Sequence, residues 1–350
     1  METKYSFAKA DLDSSRIEVA ALWAQGLGGL VDRTAELKYR QYYLENPAGR
    51  ADCVVLVHNA EGKAVGVQGF VPRRFWRGDK PVTAAVMADF VVVPEHRSLG
   101  PALQLMRSGI EMSKARFAFL YGTPNQKSLA IVRRAGLTTI GQFTRYTKVV
   151  RSASYWQRRV PGWLVPILAF LTDGAIVVVD LPGLRLGGDS LTWDEQSEFG
   201  EEFDVIWQRR FGDRVYGDRS RDVLTWRYRE ANGKEPWRRS LARDHAGAPA
   251  GYVVWRLREG VALISDFLIA KADVNLQTAM RSFAWHARKL GVERISLEFF
   301  GIGEVSRALL AAGFAPREQS LVVHVEHDGS VASLSAATAY MTSFDRDHEE

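Results

Sequence analysis

The 350-residue chain reads as a mixed α/β protein of the α+β kind, built as two tandem copies of one unit. Three observations predict this. Landmarks recur at one spacing, because Asp89-Phe90 and Asp266-Phe267 lie 177 residues apart, as do Gly136-Leu137 and Gly313-Phe314. Short strand-like runs alternate with helix-permissive stretches in the same order in both halves. With 46% hydrophobic and 25% charged residues the chain can bury a core, which excludes disordered, collagenous and coiled-coil classes.

In chain order, helical stretches carrying Trp23 and Trp207 open the two halves. Each is followed by an echo, Leu37, Tyr39, Arg40, Glu45 and Asn46 in the first and Leu224, Arg227, Tyr228, Glu230 and Asn232 in the second. Cys53–Val57 and Ala64–Phe70 then read as strands joined by the turn Asn59–Lys63, matched later by Arg239–Arg243, Asp244–Pro249 and Ala250–Leu257. Met87–Val93 has apolar residues on both faces, the pattern of a strand buried on both sides. Pro101–Ala115 carries Leu103, Met106 and Ile110 on one helical stripe. Phe117–Tyr121 is a short strand, Gln126–Ala135 a short helix ended by Gly136, and Phe143–Val150 a last strand. The expected organisation is a first domain at 1–151, a connector at 152–190, a second domain at 191–327 and a polar tail at 328–350, with Gly183, Gly187 and Gly188 marking the connector.

Charge and special residues narrow the function classes. The net charge is +5, yet arginines crowd Arg209–Arg243 among Trp207, Trp226, Tyr228 and Trp237. That composition suits either a solvated face whose arginine stems cover rings or a groove for an anionic partner such as a sugar nucleotide, an acidic glycan, a carrier protein or RNA; no DNA is expected. The lone Cys53 builds neither a disulfide framework nor a cysteine zinc site, and it has no neighbouring histidine to make it a nucleophile. Seven histidines lie scattered without ligand spacing, so no metal is expected. The first 16 residues lack a secretory apolar core, which points to a cytoplasmic protein. Residues 160–181 are apolar but interrupted by Pro161, Pro166, Asp173 and Gly174. They read as a buried connector, with an interfacial segment touching a membrane as the alternative.

Chemistry is expected where the strand Met87–Val93 gives way to a helix through Pro94-Glu95-His96-Arg97-Ser98-Leu99-Gly100-Pro101-Ala102. Backbone N–H groups at a helix start are unpaired and sit at the positive end of its dipole, so they cradle anions. Gly100 lets a ligand approach the backbone, and Ala102 keeps the first turn uncrowded. Arg97, Gly100 and Ala102 fill the fixed places of [RQ]-x-x-G-x-[GA], and this resembles the pyrophosphate-binding loop of the GNAT superfamily of acyl-CoA-dependent N-acyltransferases. Downstream, Pro124-Asn125, Ser128 and Arg133-Arg134-Ala135-Gly136-Leu137 resemble that superfamily's Pro-Asn turn and the short helix after it. The likeness covers about residues 54–150, and the second half by repeat.

What the resemblance implies is specific. Acetyl-CoA or another acyl-CoA would lie along Phe90, Val91 and Val93, with its pyrophosphate on Arg97, Ser98, Leu99, Gly100 and Ala102, and with Asn125 and Ser128 beside it. A strand N–H near Phe90 or Val91 would polarise the thioester. Asp89 is the candidate general base, with a structural carboxylate as its other reading; Tyr121 and Tyr146 are the nearest tyrosines for the acid role, with Tyr121 preferred. His96 and Glu95 read as solvated loop residues. In the 177-residue register Arg97 falls opposite Val274, Gly100 opposite Gln277, and Pro124-Asn125 opposite Gly301-Ile302, so the second copy is expected to lack the pyrophosphate loop and to shape an acceptor site. The expected function is acyl transfer to an amine or hydroxyl of a small molecule or glycan, such as an amino sugar of a surface polysaccharide. The alternatives are a Fem-like transferase using aminoacyl-tRNA and a noncatalytic protein that binds CoA or an acyl carrier protein.

Overall fold

A computed structural model describes residues 4–27, 32–157, 159–185, 191–210, 214–229, 235–270, 274–327 and 334–347. Gly187, Gly188, Glu230 and Asn232 of the sequence reading lie outside them. The first half runs β1 (Tyr5–Lys9), α1 (Arg16–Gly26), α2 (Asp32–Lys38), a π-helical segment (Tyr39–Leu44), β2 (Asp52–His58), β3 (Lys63–Arg77), β4 (Lys80–Val92), α3 (Leu99–Ser113), β5 (Phe119–Gly122), α4 (Gln126–Arg134) and β6 (Thr138–Val149). Helices α5 (Ala153–Gln157) and α6 (Val165–Arg185) connect it to the second. There follow β7 (Thr192–Gln196), α7 (Glu201–Gln208), β8 (Val215–Gly217), α8 (Arg221–Arg227), β9 (Arg238–Arg243), β10 (Pro249–Arg258), β11 (Val261–Ile269), α9 (Leu276–Lys289), β12 (Arg294–Gly301), α10 (Gly303–Ala311), β13 (Ala315–Glu326) and β14 (Ala339–Thr342), which leads into a 3₁₀ turn, Ser343–Asp345.

Helices α4 and α10 begin at 126 and 303, and strands β6 and β13 at 138 and 315, 177 residues apart in each case. Gly136 and Gly313, each just past a helix, hold φ of +101° and +86°, a region where glycine alone carries no Cβ penalty. Strands β3 and β4 are longer than the sequence pattern suggested and meet at a tight turn in which Gly78 has φ +56°.

All fourteen strands among the described residues join one sheet; twelve follow the order β1-β2-β3-β4-β5-β13-β6-β12-β11-β10-β9-β7, and β8 and β14 lie off this path. Its middle is exchanged: β13, from the second half, pairs with β5, while β6, from the first, pairs with β12. Strands β13 and β6 then pair with each other. Two apolar clusters lie under this sheet, one around Trp23, Tyr43, Phe70 and Leu105, the other around Phe203, Tyr252, Trp255 and Phe283. Strand β14 reaches both halves, pairing with β12 and, through β8, linking to β3.

Two expectations change here. Residues 339–345 are buried structure, because Ala339-Tyr340-Met341 is an apolar run that adds a strand to β12. Helix α6 continues through Asp173 and Gly174, since Asp173 turns inward to accept hydrogen bonds from Ser152 N (2.7 Å) and Arg288 Nη2 (2.8 Å). The segment is also not a buried connector, for Trp163, Ile167, Phe170 and Leu171 are exposed. No helix among the described residues is long and apolar enough to cross a membrane.

Candidate active site

Strand β4 pairs with β3 along almost its whole length, but its parallel pairing with β5 covers only Ala85–Leu120 and Val86–Tyr121. Beyond Val86 the two parallel strands part. Within the parted stretch β4 carries a bulge: Ala88 and Val91 face Gly69 and Val67, so Asp89 and Phe90 together oppose Gln68. Asp89 sits at φ +55°, a left-handed conformation that bends the strand and leaves an extra residue outside the ladder. The bulge thus interrupts the β4 ladder beside Phe90 and Val91, the strand residues the sequence reading expected to lie along the donor.

The Asp89 side chain is 8% exposed and turns toward the helices that precede β2. Lys38, at the end of α2, is ion-paired with one oxygen, and the Tyr43 hydroxyl donates to the other at 2.8 Å. Lys38 also rests over Trp23, at 5.4 Å, and Tyr39 stacks on Tyr43 with centroids 5.2 Å apart. Burial, then the Asp89 charge, pushes the Tyr43 phenol well above its ordinary range, so it remains the donor. Gly69 is required beneath this cluster, because a Cβ there would run into the Tyr43 hydroxyl. Neither Lys38 nor Tyr43 was singled out from the sequence; a lysine and a tyrosine five residues apart carry no local signature.

Strand β4 leads through Val93 and the 3₁₀ turn Pro94–His96 into α3. Ser98 is the N-cap of α3 and makes no side-chain capping bond, so the N–H groups of Leu99 and Gly100 face outward without an intrahelical acceptor. Ser98, Leu99 and Gly100 are exposed, and nothing lies within 4 Å of where a Gly100 Cβ would stand. Arg97 Nε donates to Val92 O at 3.1 Å and ties the loop to β4. Ala102 is buried at the first turn. An open helix N-terminus, an uncrowded glycine and an exposed arginine fit the pyrophosphate of CoA.

The corresponding places in the second half differ. Asn275 caps α9 with its own side chain, accepting from Gln277 N at 2.8 Å, and Val274 is buried. Asp266 is fully buried and held by Arg219 Nε (3.1 Å to each oxygen), Tyr252 (2.7 Å) and Thr342 (2.6 Å). Strand β14 occupies the edge of β12 from Phe299 to Gly301, on the side where β12 parts from β11 beyond Ile264 and Leu297. A pocket is lined by Leu263–Ser265, Ser296–Glu298, Arg256 and Arg346 with Arg145 of β6.

Other sequence candidates are distributed as follows. Tyr121 is 1% exposed, and its hydroxyl donates to Asp345 O at 2.7 Å; burial pushes its phenol far up. That commitment makes it a core anchor rather than a proton donor to a solvent-accessible group. Tyr146 is also buried. Asn125 caps α4, accepting from Ser128 N at 3.0 Å, while Ser128 Oγ donates to Asn125 O at 3.1 Å. Cys53 is fully buried, and burial followed by the Asp89 charge pushes its thiol up to about 12. His58, Glu61 and His96 gather with ligand atoms within 4.8 Å of one another, and Tyr5 bonds His96 Nδ1 at 3.0 Å. The sequence reading, which found the histidines scattered, did not foresee this grouping of His58, Glu61 and His96.

No protein-family model matches the chain, and no curated protein matches it in sequence. Solved structures do. A conserved Enterococcus faecalis protein of unknown function, given as a probable N-acyltransferase, superposes with TM-score 0.65 at 14% identity over 93% of this chain and 73% of its own. GCN5-related N-acetyltransferases from Anabaena variabilis (TM-score 0.60, 17% identity, 92% and 73%) and Kribbella flavida (0.59, 15%, 93% and 72%) are similar over the same extent. The chain shares the fold of these structures, two of which are named GCN5-related N-acetyltransferases.

Proposed function

We propose that the chain is an acyl-CoA-dependent acyltransferase in which the first half binds the donor and the second is a copy of the same unit that does not. The carrying observation is the sequence of parted β4, bulge at Asp89 and uncapped α3 with open space at Gly100. The recurrence of α4 and β6 as α10 and β13 supports the tandem reading. Self-capping by Asn275 and occupation of the β12 edge by β14 support a donor site in the first half alone.

Acyl-CoA, when bound, supplies a thioester whose carbonyl carbon bonds to the acceptor nitrogen or oxygen as the C–S bond breaks. The N–H groups of Leu99 and Gly100 hold the pyrophosphate, with Arg97 adding charge. The bulge directs a β4 N–H at the thioester carbonyl and stabilises the charge that develops there. Asp89 is the group assigned to take the acceptor proton, its carboxylate positioned by Lys38 and Tyr43. Tyr121 has no part in this scheme.

The deciding experiment is isothermal titration with acetyl-CoA and free CoA, followed by assay of thiol release with amine acceptors. One site per chain and acceptor-dependent thiol release are the expected results. Two equivalent sites would overturn the asymmetric donor arrangement, and saturable CoA binding without thiol release from any acceptor would favour the noncatalytic reading.

A further inference from the structure

Arg73, in β3, is 6% exposed, and none of its three guanidinium nitrogens finds a hydrogen-bond partner among the described residues. Its nearest charged influences oppose one another, since Arg227 repels it while Asp345 attracts it without reaching ion-pair distance. The flat face of the guanidinium lies over the Trp226 ring at 5.2 Å, so the ring covers one side and leaves the donor edge unmatched. A buried cation with no counter-charge is among the costliest arrangements a fold holds. Arg219, by contrast, has Asp266 and Asp345, and Arg227 bonds Tyr42 and Arg346 O.

Arg73 also lines a small pocket together with Asn46, Pro72, Asp218, Trp226 and Phe344. The walls come from both halves, and the junction is fixed by a reciprocal pair, Trp226 Nε1 to Gln41 O at 2.9 Å and Gln41 Nε2 to Trp226 O at 2.8 Å. The neighbouring Asp218 is already engaged by Arg74 at 3.4 Å and by Ser220 N at 2.9 Å. What is missing is a planar, two-oxygen acceptor for a guanidinium fork.

We infer that the pocket around Arg73 is an oxyanion subsite, and, resting on the transferase reading above, that the acceptor substrate carries a carboxylate or phosphate. Along β3, Arg73 is four residues from Gly69, the position facing Tyr43 and hence Asp89, which is about 13 Å of strand on the same face of the sheet.

The test is thermal unfolding of the full chain without any CoA, titrated separately with inorganic phosphate and with malonate at constant ionic strength set by sodium chloride. For the native chain, at about 100 times the dissociation constant of the effective anion, the midpoint is expected to rise by about 4 °C. A response to phosphate alone assigns a phosphate ester, and to malonate alone a carboxylate. Arg73→Met should lose the response while its anion-free midpoint stays equal or rises, because it removes an unmatched buried charge; Arg73→Lys should keep a weakened response. No saturable shift in the native chain, or an undiminished shift in Arg73→Met, overturns the subsite. A fall of several degrees in anion-free Arg73→Met also overturns it, by showing that the cation is matched in the free protein. Anion binding that persists where titration finds no CoA binding would keep the subsite and remove the transferase reading, so the two fail separately.

Discussion

Replacing Arg219 with methionine should bring the fold close to collapse. The guanidinium is fully buried and donates from Nε to both oxygens of Asp266 at 3.1 Å, from Nη2 to Asp345 Oδ2 at 2.6 Å and from Nη1 to Gly217 O at 2.8 Å. Burial disfavours its charge, but the two aspartates more than restore it and hold it protonated. Taking one partner from a buried ion pair costs about 3–5 kcal/mol, because the survivor is left charged in a dry site. Here two carboxylates are left, so the upper end, about 5 kcal/mol, is expected against a total stability of about 5–15 kcal/mol. Urea unfolding of the native chain, Arg219→Met, Asp266→Asn and the double variant measures this. The double variant should recover about 1–3 kcal/mol relative to the sum of the singles. Acidity supplies a second check. Burial raises the Asp266 carboxyl above its ordinary value of 3.8, with Arg219 opposing, so the folded state takes up a proton more readily than the unfolded chain. Its contribution is full below pH 3.8 and is lost as pH rises through the folded value. The cost of Arg219→Met should accordingly be smaller at pH 4 than at pH 7. A cost below about 1 kcal/mol, or strict additivity in the double variant, would refute the reasoning.

Three further outcomes are expected. Gly100→Glu, which sets a carboxylate where the pyrophosphate belongs, should weaken CoA binding at least about tenfold by calorimetry, about 1.4 kcal/mol, while Gln277→Glu leaves it unchanged; equal losses would count against a single donor site. Asp89→Asn should lower kcat by about 10²–10³-fold with CoA affinity intact, whereas an unchanged kcat would assign Asp89 to anchoring the bulge alone. Burial lowers the His324 and His327 imidazoles below 6.5, so these rings are neutral in the fold and charge more readily when unfolded. Stability is then held above pH 6.5 and lost as pH falls through the folded values, and the double variant His324→Gln/His327→Gln should flatten the pH 7 to 5 decline in urea midpoint.

The junction of β4 with α3 could be read in the sequence because its signals are local: Arg97, Gly100 and Ala102 fall within six residues, and a helix start needs nothing distant. Element order was legible for a similar reason, since the glycines at 136 and 313 stop helices wherever they occur. The exchange of β6 and β13 was not. Their alternating faces satisfy either partner, and nothing in a strand's own pattern names its neighbour. Lys38 and Tyr43 gather on Asp89 only through tertiary packing, and Tyr121 could not be known to spend its hydroxyl on Asp345, 224 residues away. Arg73 did leave a trace. It stands at an alternate position from Val71 and Phe75, on the face of β3 that the pattern marks as buried, where a charge calls for an explanation. The run Ala339-Tyr340-Met341 was likewise apolar beyond what a tail requires.

Because β13 lies between β5 and β6 while β6 lies between β13 and β12, the two halves complete one another's hydrogen-bonded ladder. A cut in the connector would free two pieces, each with its final strand stranded on the wrong side and a raw inner edge exposed to any passing chain. The halves are interlocked in the way two hands are with fingers laced, and melting should register as a single event with no half-folded plateau. The second half is thus indispensable whatever it binds: it finishes the wall against which strands β4 and β5 are braced.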